Sequence, residues 1–563
     1  MIGHILVLGF LSLLPFALGN EDLPELILPW GKWQATIHPN DSNIYLFKNV
    51  RFGAPPERFG APAFPTSPDS IGQDTPEGIS CVQVKSGSQR SFPDGMPPHM
   101  PAESREEKQT EDCLFLDVYA PTAAFKPGAK PLPVVVWIYG GGFAYGSKNP
   151  IGPINSGRSI LNASDYELIF VVGNYRVGAF GWLAGDYMQR FGQPNAGLYD
   201  QALLFKWVQD YAGLVQGDVN NVSAWGESAG AGSILHHLIR KGGEKDPGFT
   251  RFAVQSPAFQ WAWNNSHNGT LDNVYRKFSL HAGCKYDYNI TCLRVADSKR
   301  LEKANQDLFD DAKKLGLLPF GPAVDDSWIK TIPTISFFHG NYWKSIESAL
   351  ISHCTNEAYS FIPGWVNNQT AFDLFLELFL PGPALEPERE AIKNQYPCKG
   401  NFSNCIGDII RDAFFTCNTR NLFDSYPENS YMMEYGFPWN AAGYHATDLI
   451  PLFVNNVDET IDLLKNLLDE CAAKFYAGLL WGRVVGIYQS YFASFALTGN
   501  PRGRQPPPSL PTWVAADGQL DKLSNVMKVS GIDFHAFANV SDNQNTNYTC
   551  SFWESIAEEI IST

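Results

Sequence analysis

Positive charge is scarce in this chain. Its 563 residues carry 42 lysines and arginines against 58 aspartates and glutamates, a formal net charge of −16. An excess of negative charge repels nucleic-acid phosphates and anionic lipid head groups. We therefore expect neither nucleic acid nor an anionic membrane as a partner, although the balance does not indicate what the protein binds.

Features that would divide the chain are also missing. There is no block of like charge, no Gly/Ser tract and no internal repeat. Hydrophobic residues make up 44% and charged residues 18%, as in a globular protein. We expect residues 20–563 to form one large domain, with the Arg-Gln-Pro-Pro-Pro stretch at 504–508 as a stiff surface connector.

Only the amino terminus has an apolar run that suggests a signal peptide or a membrane anchor. Residues 5–18 are apolar, and Ala17-Leu18-Gly19 has the small-x-small form of a signal-peptidase site. The usual preceding Lys or Arg is absent, and an anchor helix is the alternative, but the run is short and contains Pro15. We expect residues 1–19 to be a cleaved secretory signal peptide, followed by an extracellular protein without a transmembrane anchor.

The ten cysteines include no Cys-x-x-Cys pair, which gives no indication of a metal or redox motif. An even number of cysteines fits an exported protein with disulfides. Many Asn-x-Ser/Thr sequons agree with export. Asn221 runs straight into a predicted strand and is expected to be buried. The other candidate glycosylation sites are Asn40, Asn162, Asn264, Asn268, Asn289, Asn368, Asn401, Asn539 and Asn547.

The apolar pattern predicts an α/β fold. Continuous apolar runs at 133–139, 168–172 and 251–255 are typical of strands buried on both faces of a parallel sheet. Apolar residues at helical spacing predict an amphipathic helix over 199–214. Strand and helix alternate, so we expect a central, mostly parallel sheet flanked by helices. The mixed segment 268–421 is interpreted as helices and loop excursions above that sheet.

Two glycine-containing motifs follow predicted strands. Gly-Glu-Ser-Ala-Gly at 226–230 lies between a β-leaning run and a segment able to start a helix, a pattern that presents a strained nucleophilic serine, Ser228. Gly-Gly-Gly at 140–142 follows the strand at 133–139 and leaves its N–H groups uncovered. We predict that Gly141, Gly142 and Ala229 donate hydrogen bonds to a developing oxyanion.

With these motifs, the chain resembles the type-B carboxylesterase family, which includes secreted lipases and cholinesterases. Matching segments run from Phe47 into the C-terminal region, so the resemblance spans nearly all of the mature chain. They include 47–56, 111–114, 174–178, 195–201, 207–208, 217–218 and 226–230. The resemblance implies an α/β-hydrolase fold and ester hydrolysis through an acyl-enzyme. It also implies a small-molecule or lipid ester as substrate, with no metal and no other cofactor.

The resemblance selects the acid of the site. Glu357 lies four residues before Phe361, similar to the family's catalytic glutamate, although Asn356 and Ala358 stand where Asp and Gly are usual. By chain order alone, Asp325 and Asp326 are alternatives, but they resemble a non-catalytic Val-Asp-Gly stretch of the family.

The resemblance also selects the base. His445 begins a segment similar to the family's His-Gly-x-Asp-Leu, whereas the alternative, His535, has no such surroundings. Ser228, Glu357 and His445 then follow the hydrolase order of serine, acid and histidine. Glu227 and Asp448 flank these residues. We expect them to have structural roles in the layer of side chains around the catalytic residues.

The family's first disulfide loop is matched by Cys81 and Cys113, and a shorter pair by Cys284 and Cys292. In cholinesterases the first loop supplies a tryptophan that contacts a quaternary ammonium group. Here the loop contains no Trp, so choline esters are not the expected substrates. It offers instead the apolar and ring side chains of Phe92, Met96, His99 and Met100.

Two other functional classes remain open at this point. An acyltransferase would use the same acyl-enzyme with an alcohol or phenol in place of water. A non-catalytic binding protein is the other class, since the family contains members that lost the serine. The presence of Ser228, Glu357 and His445 argues against the second class.

Overall fold

A computed structural model describes residues 23–68, 78–85, 108–259, 263, 265–284, 289–315, 318–437, 443–465, 468–502, 512–518, 521–531 and 536–562. Several predicted features fall outside these ranges. They are the signal peptide at 1–19, the connector at 504–508, Asn264, His535 and the loop residues Phe92, Met96, His99 and Met100.

The strands are β1 Glu25–Leu28, β2 Gly31–Gln34, β3 Thr36–His38, β4 Asp41–Arg51, β5 Ile79–Cys81, β6 Lys108–Thr110, β7 Phe115–Pro121, β8 Leu132–Ile138, β9 Ile169–Gly173, β10 Gly217–Glu227, β11 Arg251–Gln255, β12 Ser348–Cys354, β13 Ser430–Tyr435, β14 Val526–Val529 and β15 Phe537–Val540. Within the described residues, eleven of them form one large sheet with the order β15-β14-β13-β12-β11-β10-β8-β9-β7-β4-β3. In this order, neighbouring strands from β14 to β9 pair in parallel, and the pairs at both ends of the sheet are antiparallel.

Helices flank this sheet. They are α1 Arg158–Ala163, α2 Ala179–Trp182, α3 Asp186–Phe191, α4 Ala196–Tyr211, α5 Ala229–Leu238, α6 Thr270–His281, α7 Ile290–Val295, α8 Ser298–Lys314, α9 Pro333–Phe338, α10 Gln369–Phe379, α11 Glu386–Gln395, α12 Phe402–Arg411, α13 Cys417–Ser425, α14 Leu449–Phe453, α15 Val457–Leu464, α16 Glu470–Leu480, α17 Gly486–Thr498 and α18 Asn547–Ser562. Short 3-10 helices cover Thr122–Phe125, Ala212–Val215, Glu357–Phe361, Pro383–Leu385 and Pro427–Asn429, and π-helical turns cover Asp412–Thr416 and Trp481–Val485. Among the described residues, none of the helices combines the length and the hydrophobicity that a membrane span requires.

The strands predicted from apolar runs are present as β8, β9 and β11, and the predicted amphipathic helix is α4 with the 3-10 turn that follows it. One part of the interpretation of 268–421 is wrong, because β12 lies inside this segment and pairs with β11 and β13 in the middle of the sheet. Its sequence, Ser-Ala-Leu-Ile-Ser-His-Cys, is fully buried yet interrupted by polar residues. The apolar pattern alone therefore did not indicate a buried strand.

Four disulfides link Cys81 with Cys113, Cys284 with Cys292, Cys398 with Cys405 and Cys417 with Cys550. Cys354 is a buried thiol and Cys471 an exposed one. Asn221 is half-buried and its Oδ1 accepts a hydrogen bond from Arg251 Nη1 at 2.8 Å. The other described sequon residues are exposed: Asn40, Asn162, Asn268, Asn289, Asn368, Asn401, Asn539 and Asn547.

Candidate active site

Ser228 occupies the turn between β10 and α5. Its backbone has φ 55° and ψ −126°, a conformation that non-glycine residues rarely adopt. The turn is held by backbone hydrogen bonds, because the Ser228 N–H donates to the Gln255 carbonyl at 3.0 Å and the Ser228 carbonyl accepts from Ala258 at 3.0 Å. The strand-turn-helix arrangement predicted for this serine is what the structure contains.

Close packing explains the small residues of the turn. A Cβ on Gly230 would lie 2.0 Å from the carbonyl oxygen of Ile138, and a Cβ on Gly226 would lie 2.8 Å from the Gly230 carbonyl carbon. Both contacts are with backbone, which cannot move aside as a flexible side chain can. The helix α5 thus packs directly against the end of β8, and this approach fixes where Ser228 lies.

The predicted acid and base lie beside this serine. His445 Nε2 is 2.8 Å from Ser228 Oγ, and His445 Nδ1 is 2.7 Å from Glu357 Oε2. The side chain of Glu357 is fully buried, and those of Ser228 and His445 are buried or nearly so. The three residues therefore form an unbroken hydrogen-bonded line, which requires the imidazole proton on Nδ1 if the serine hydroxyl donates to Nε2.

Glu357 has two further donors that the sequence analysis did not identify. Its Oε1 accepts from the Ser256 hydroxyl and from the Cys354 backbone N–H, each at 2.5 Å. Ser256 directly follows β11, which lies beside β10, the strand that ends at the tight turn around Ser228, here called the elbow. Ser256 could have been identified from its position, because the carboxyl ends of neighbouring parallel strands lie at one edge of the sheet. A polar residue that follows such a strand is therefore a candidate for contact with the site.

The glycine triplet lies next to the serine. A Cβ on Gly140 would lie 2.9 Å from Ser228 Cβ, so the two segments are in contact. Gly141 has φ 109°, and a Cβ there would meet the Tyr145 carbonyl oxygen at 2.1 Å. Within the described part of the chain, no backbone carbonyl accepts from the N–H of Gly141 or Gly142. Ala229 is the first residue of α5, so its N–H has no partner inside that helix.

Glu227 is a buried carboxyl beside the histidine. Its Oε1 lies 3.2 Å from His445 Nε2. Burial raises the pKa of Glu227 to about 8. Burial alone would lower the pKa of His445, but Glu227, followed by Glu357 and Asp448, outweighs burial and raises the His445 pKa to about 9. In their ionised form, these buried carboxyl groups therefore favour the imidazolium form of His445.

Asp448 lies in the second layer of the site. Its Oδ2 accepts from Gln255 Nε2 at 2.8 Å, and Gln255 Nε2 is also 3.1 Å from the Tyr488 hydroxyl. Burial raises the pKa of Asp448 to about 6, and the charge of Glu357 adds to this shift. Asp448 thus contributes to the negative field around His445 through its charge, whereas its described hydrogen bond goes to Gln255. Gln255, its partner, was not identified from the sequence.

The alternative acids lie elsewhere. Asp325 Oδ1 accepts the backbone N–H groups of Ser327, Trp328 and Ile329, as a carboxylate that holds a tight turn does. Asp326 is exposed. Neither carboxylate contacts His445 among the described residues.

Aromatic rings enclose the histidine. Phe361 packs edge-on against the His445 ring with centroids 5.2 Å apart, and Phe415 lies at 4.9 Å. Phe415 belongs to the π-helical turn Asp412–Thr416, a helix distortion often found at functional sites. The surroundings of the base are therefore apolar, apart from the carboxyl groups already described.

The fold and the site define a class of protein. Solved structures similar over nearly the whole chain include Aspergillus niger EstA, with a TM-score of 0.75, 24% identity, and coverage of 96% of this chain and 99% of that one. A thermophilic pNB esterase has a TM-score of 0.72, 22% identity, and coverage of 94% and 99%. The protein thus has the α/β-hydrolase fold, as predicted.

The sequence comparisons identify the family. The sequence model of the carboxylesterase family matches residues 30–553, so the chain belongs to that family and is a carboxylic ester hydrolase. A secreted lipase of Arthroderma benhamiae is 33% identical over 566 residues, which cover 98% of this chain and 96% of that protein. Carboxylesterase patB of Aspergillus clavatus is 28% identical, with coverage of 90% and 94%. The family membership and the hydrolase class predicted from the sequence are confirmed.

Proposed function

We propose that the protein is a secreted serine carboxylesterase or lipase, with Ser228 as nucleophile, His445 as general base and Glu357 as the residue that orients the base. The observation that carries this proposal is the hydrogen-bonded line Ser228–His445–Glu357, with distances of 2.8 and 2.7 Å. The line begins at a residue in a strained turn and ends at a fully buried carboxylate. Such an arrangement activates a hydroxyl that is otherwise a weak nucleophile.

The reaction follows from this geometry. As Ser228 Oγ attacks the ester carbonyl, its proton passes to His445 Nε2, while Glu357 holds the other ring proton on Nδ1. The N–H groups of Gly141, Gly142 and Ala229 then stabilise the tetrahedral oxyanion. His445 returns the proton to the leaving alcohol. Water next attacks the acyl-enzyme while His445 takes its proton. Cleavage of the bond between Ser228 Oγ and the acyl carbon then releases the carboxylic acid, and His445 returns the proton to Ser228 Oγ.

The electrostatics suit the charged step of this cycle. Positive charge develops on His445 when it takes the serine proton, and the raised pKa of His445 means that the surroundings favour this charge. The same raised pKa leaves most of the resting enzyme protonated at His445 at neutral pH. We therefore expect the rate to rise as pH increases toward the pKa of His445.

Substrate class and location are extrapolated from different observations. Phe361 and Phe415 beside the base favour esters whose reacting end is apolar. Four disulfides and exposed sequons are typical of proteins outside the cytosol, and the Arthroderma relative is named a secreted lipase. Transfer of the acyl group to an alcohol uses the same intermediate and is measured in the experiment below.

The test compares Ser228→Ala with the wild type on aryl esters of increasing acyl length. We expect kcat to fall about 10⁴-fold or more, as in other serine hydrolases that lose the nucleophile. Ser159→Ala is a matched control, because Ser159 is also buried and donates to a backbone carbonyl, that of Leu452 at 2.8 Å. A phosphonate ester should label Ser228 and spare the other serines.

Equal activity of Ser228→Ala and the wild type would refute the assignment. Addition of a short alcohol separates the two acceptors, since a transferase yields the new ester in preference to the free acid. The acyl length of highest kcat/KM separates a lipase from a short-chain esterase. Detection of the mature protein in the culture medium, with an amino terminus near residue 20, tests secretion.

A further inference from the structure

We propose that Tyr359 and Tyr444 form a clasp that positions His445 against Glu357. The two tyrosines are positioning residues, which act through the neighbouring acid and base and do not touch the reacting atoms. This inference rests on the proposed function, because it concerns the same acid and base. It adds a pair of residues to which neither the family motifs nor the hydrogen-bonded line gives a role.

The clasp joins the two segments that carry the acid and the base. Tyr359 lies two residues after Glu357 in the 3-10 helix Glu357–Phe361, and Tyr444 directly precedes His445. Their ring centroids are 4.7 Å apart with an angle of 33° between the planes. Both side chains are half-buried, so the contact is partly accessible to solvent.

The backbone beneath the clasp is also joined. The N–H of Asn356 donates to the Gly443 carbonyl at 2.8 Å, and Asn356 and Tyr444 form an isolated parallel bridge. One 3-10 turn therefore makes three kinds of contact with the histidine segment. Glu357 bonds Nδ1, Phe361 packs on the His445 ring, and Tyr359 holds the residue before it.

The histidine segment has a reason to need this support. Ala446 has φ 68°, in the left-handed region, where the family's His-Gly-x-Asp-Leu pattern has glycine. The turn from Tyr444 to Thr447 is closed by two hydrogen bonds to the Tyr444 carbonyl. The Thr447 N–H donates one at 3.0 Å and the Thr447 hydroxyl donates the other at 2.6 Å. Tyr444 therefore takes part both in the turn that contains His445, through its carbonyl, and in the contact with Tyr359, through its ring. Since small displacements of a catalytic group lower rates steeply, loss of the clasp should affect chemistry.

The experiment measures kcat, KM and pH profiles for Tyr359→Ala, Tyr359→Phe and Tyr444→Ala. We expect Tyr359→Ala to lower kcat about tenfold with little change in KM, and to move the acid limb of kcat/KM, which reports the pKa of the base in the free enzyme. Tyr359→Phe keeps the ring contact and should retain most of the activity. The double variant Tyr359→Ala/Tyr444→Ala should be no slower than the worse single variant, because both remove one contact.

Tyr187→Ala is the matched control. Tyr187 is half-buried and stacks on Tyr275 with centroids 5.7 Å apart, in helices α3 and α6 that contribute no side chain to the site. We expect this variant to lower Tm without a change in the pH profile. Should Tyr359→Ala fail to fold, Tyr359→Leu keeps apolar bulk and removes the ring, and it should show the same loss of kcat.

The outcomes separate this proposal from the proposed function. If a phosphonate does not label the wild type at Ser228, the proposed function is refuted. The clasp proposal is then refuted too, because it rests on that function. If the wild type is labelled but Tyr359→Ala and Tyr359→Leu keep kcat and the pH profile, only the clasp is refuted. A rise in KM alone would overturn it as well, since it would make Tyr359 part of the substrate-binding surface.

Discussion

The two sides of the site are held in place by different means. Ser228 lies in one local turn, and its neighbours within two residues include both glycines on which the turn depends. Glu357 and His445 are 88 residues apart, belong to separate segments and meet through tertiary contacts. The nucleophile side is therefore specified by short-range sequence and backbone packing, whereas the acid–base side is specified by side chains from distant parts of the chain.

This difference predicts how each side fails. A change on the nucleophile side meets backbone that cannot yield, so its effect should be large and abrupt. On the acid–base side, each contact is one of several that support the same residues, and single changes should have graded effects. The predictions below test this contrast, beginning with the largest expected effect.

Gly230→Ala should prevent the native elbow from forming. Its Cβ would lie 2.0 Å from the Ile138 carbonyl oxygen, a contact that requires α5 or β8 to shift. We expect a loss of at least about 4 kcal/mol in the free energy of unfolding, or no folded protein at all. Thermal unfolding and soluble yield measure this.

The control for Gly230→Ala is Gly478→Ala. Gly478 lies in α16, is exposed, and has no heavy atom near the position of a Cβ. There alanine should stabilise by up to about 1 kcal/mol through helix propensity. A folded, active Gly230→Ala protein would contradict the view that backbone packing dictates the elbow.

Asp542→Asn should weaken the acid–base side strongly without abolishing the fold. Asp542 Oδ2 is 2.7 Å from Nε2 of His353, a residue of β12 next to Cys354, whose N–H binds Glu357. Both side chains of the pair are fully buried. Removing one partner of such a pair typically costs about 3–5 kcal/mol in the free energy of unfolding. The matched control is His267→Asn, in an exposed pair with Asp186, where we expect a loss below about 1 kcal/mol.

The effect of Asp542→Asn should depend on pH in a defined direction. Burial opposes the charge on His353, but Asp542 outweighs burial and raises the His353 pKa to about 9, so this stabilisation is complete below pH 6.5 and is lost as pH rises through 9. Burial opposes the charge on Asp542 too, but His353 lowers the Asp542 pKa, so its share is present above pH 3.8 and is lost on acidification below that. Denaturant unfolding should show the largest difference in the free energy of unfolding between variant and wild type from pH 3.8 to pH 6.5, where both contributions are fully present. A difference independent of pH would argue against a charged pair.

The contrast also explains how much could be predicted from sequence. The elbow and the glycine triplet are each formed by consecutive residues, and each needs a particular backbone conformation. Their residues could therefore be identified from residue types and from the strands that precede them. Nothing local distinguishes Glu357 from Asp325, and the choice between them depended on the family resemblance. Their surroundings in the structure explain why only Glu357 contacts the histidine. The Asp325 carboxylate instead accepts hydrogen bonds from the N–H groups of its own turn.

Other parts of the site depend on packing that no local pattern describes. Ser256 reaches Glu357 only because β11 and β12 are neighbours in the sheet, and β12 itself was missed. Phe415 reaches His445 from the π-helical turn of a distant helical segment. Such contacts become predictable only when the order of strands and the path of each insertion are known.

Glu227→Gln should shift the pH profile more than the stability. Glutamine keeps the shape of the side chain but removes the carboxyl group 3.2 Å from His445 Nε2, the largest influence that raises the His445 pKa. The pKa of His445 should fall, so the acid limb of kcat/KM moves to lower pH by about one unit or more. Asp186→Asn, at a solvent-accessible carboxylate outside the site, should leave the profile in place. An unmoved acid limb in Glu227→Gln would show that the carboxyl does not control the base.

Ala446→Gly should have the smallest effect and the opposite sign. Ala446 has φ 68° and is half-buried, and alanine in the left-handed region is less stable than glycine by roughly 1 kcal/mol. Glycine also gains more freedom in the unfolded chain, which offsets part of this difference. We expect a net rise of about 0.5 kcal/mol or less in the free energy of unfolding, with kcat unchanged as long as the Tyr359–Tyr444 contact holds the segment. If glycine lowers both kcat and Tm, the strained alanine is itself what keeps His445 in place, and the acid–base side is then specified locally after all.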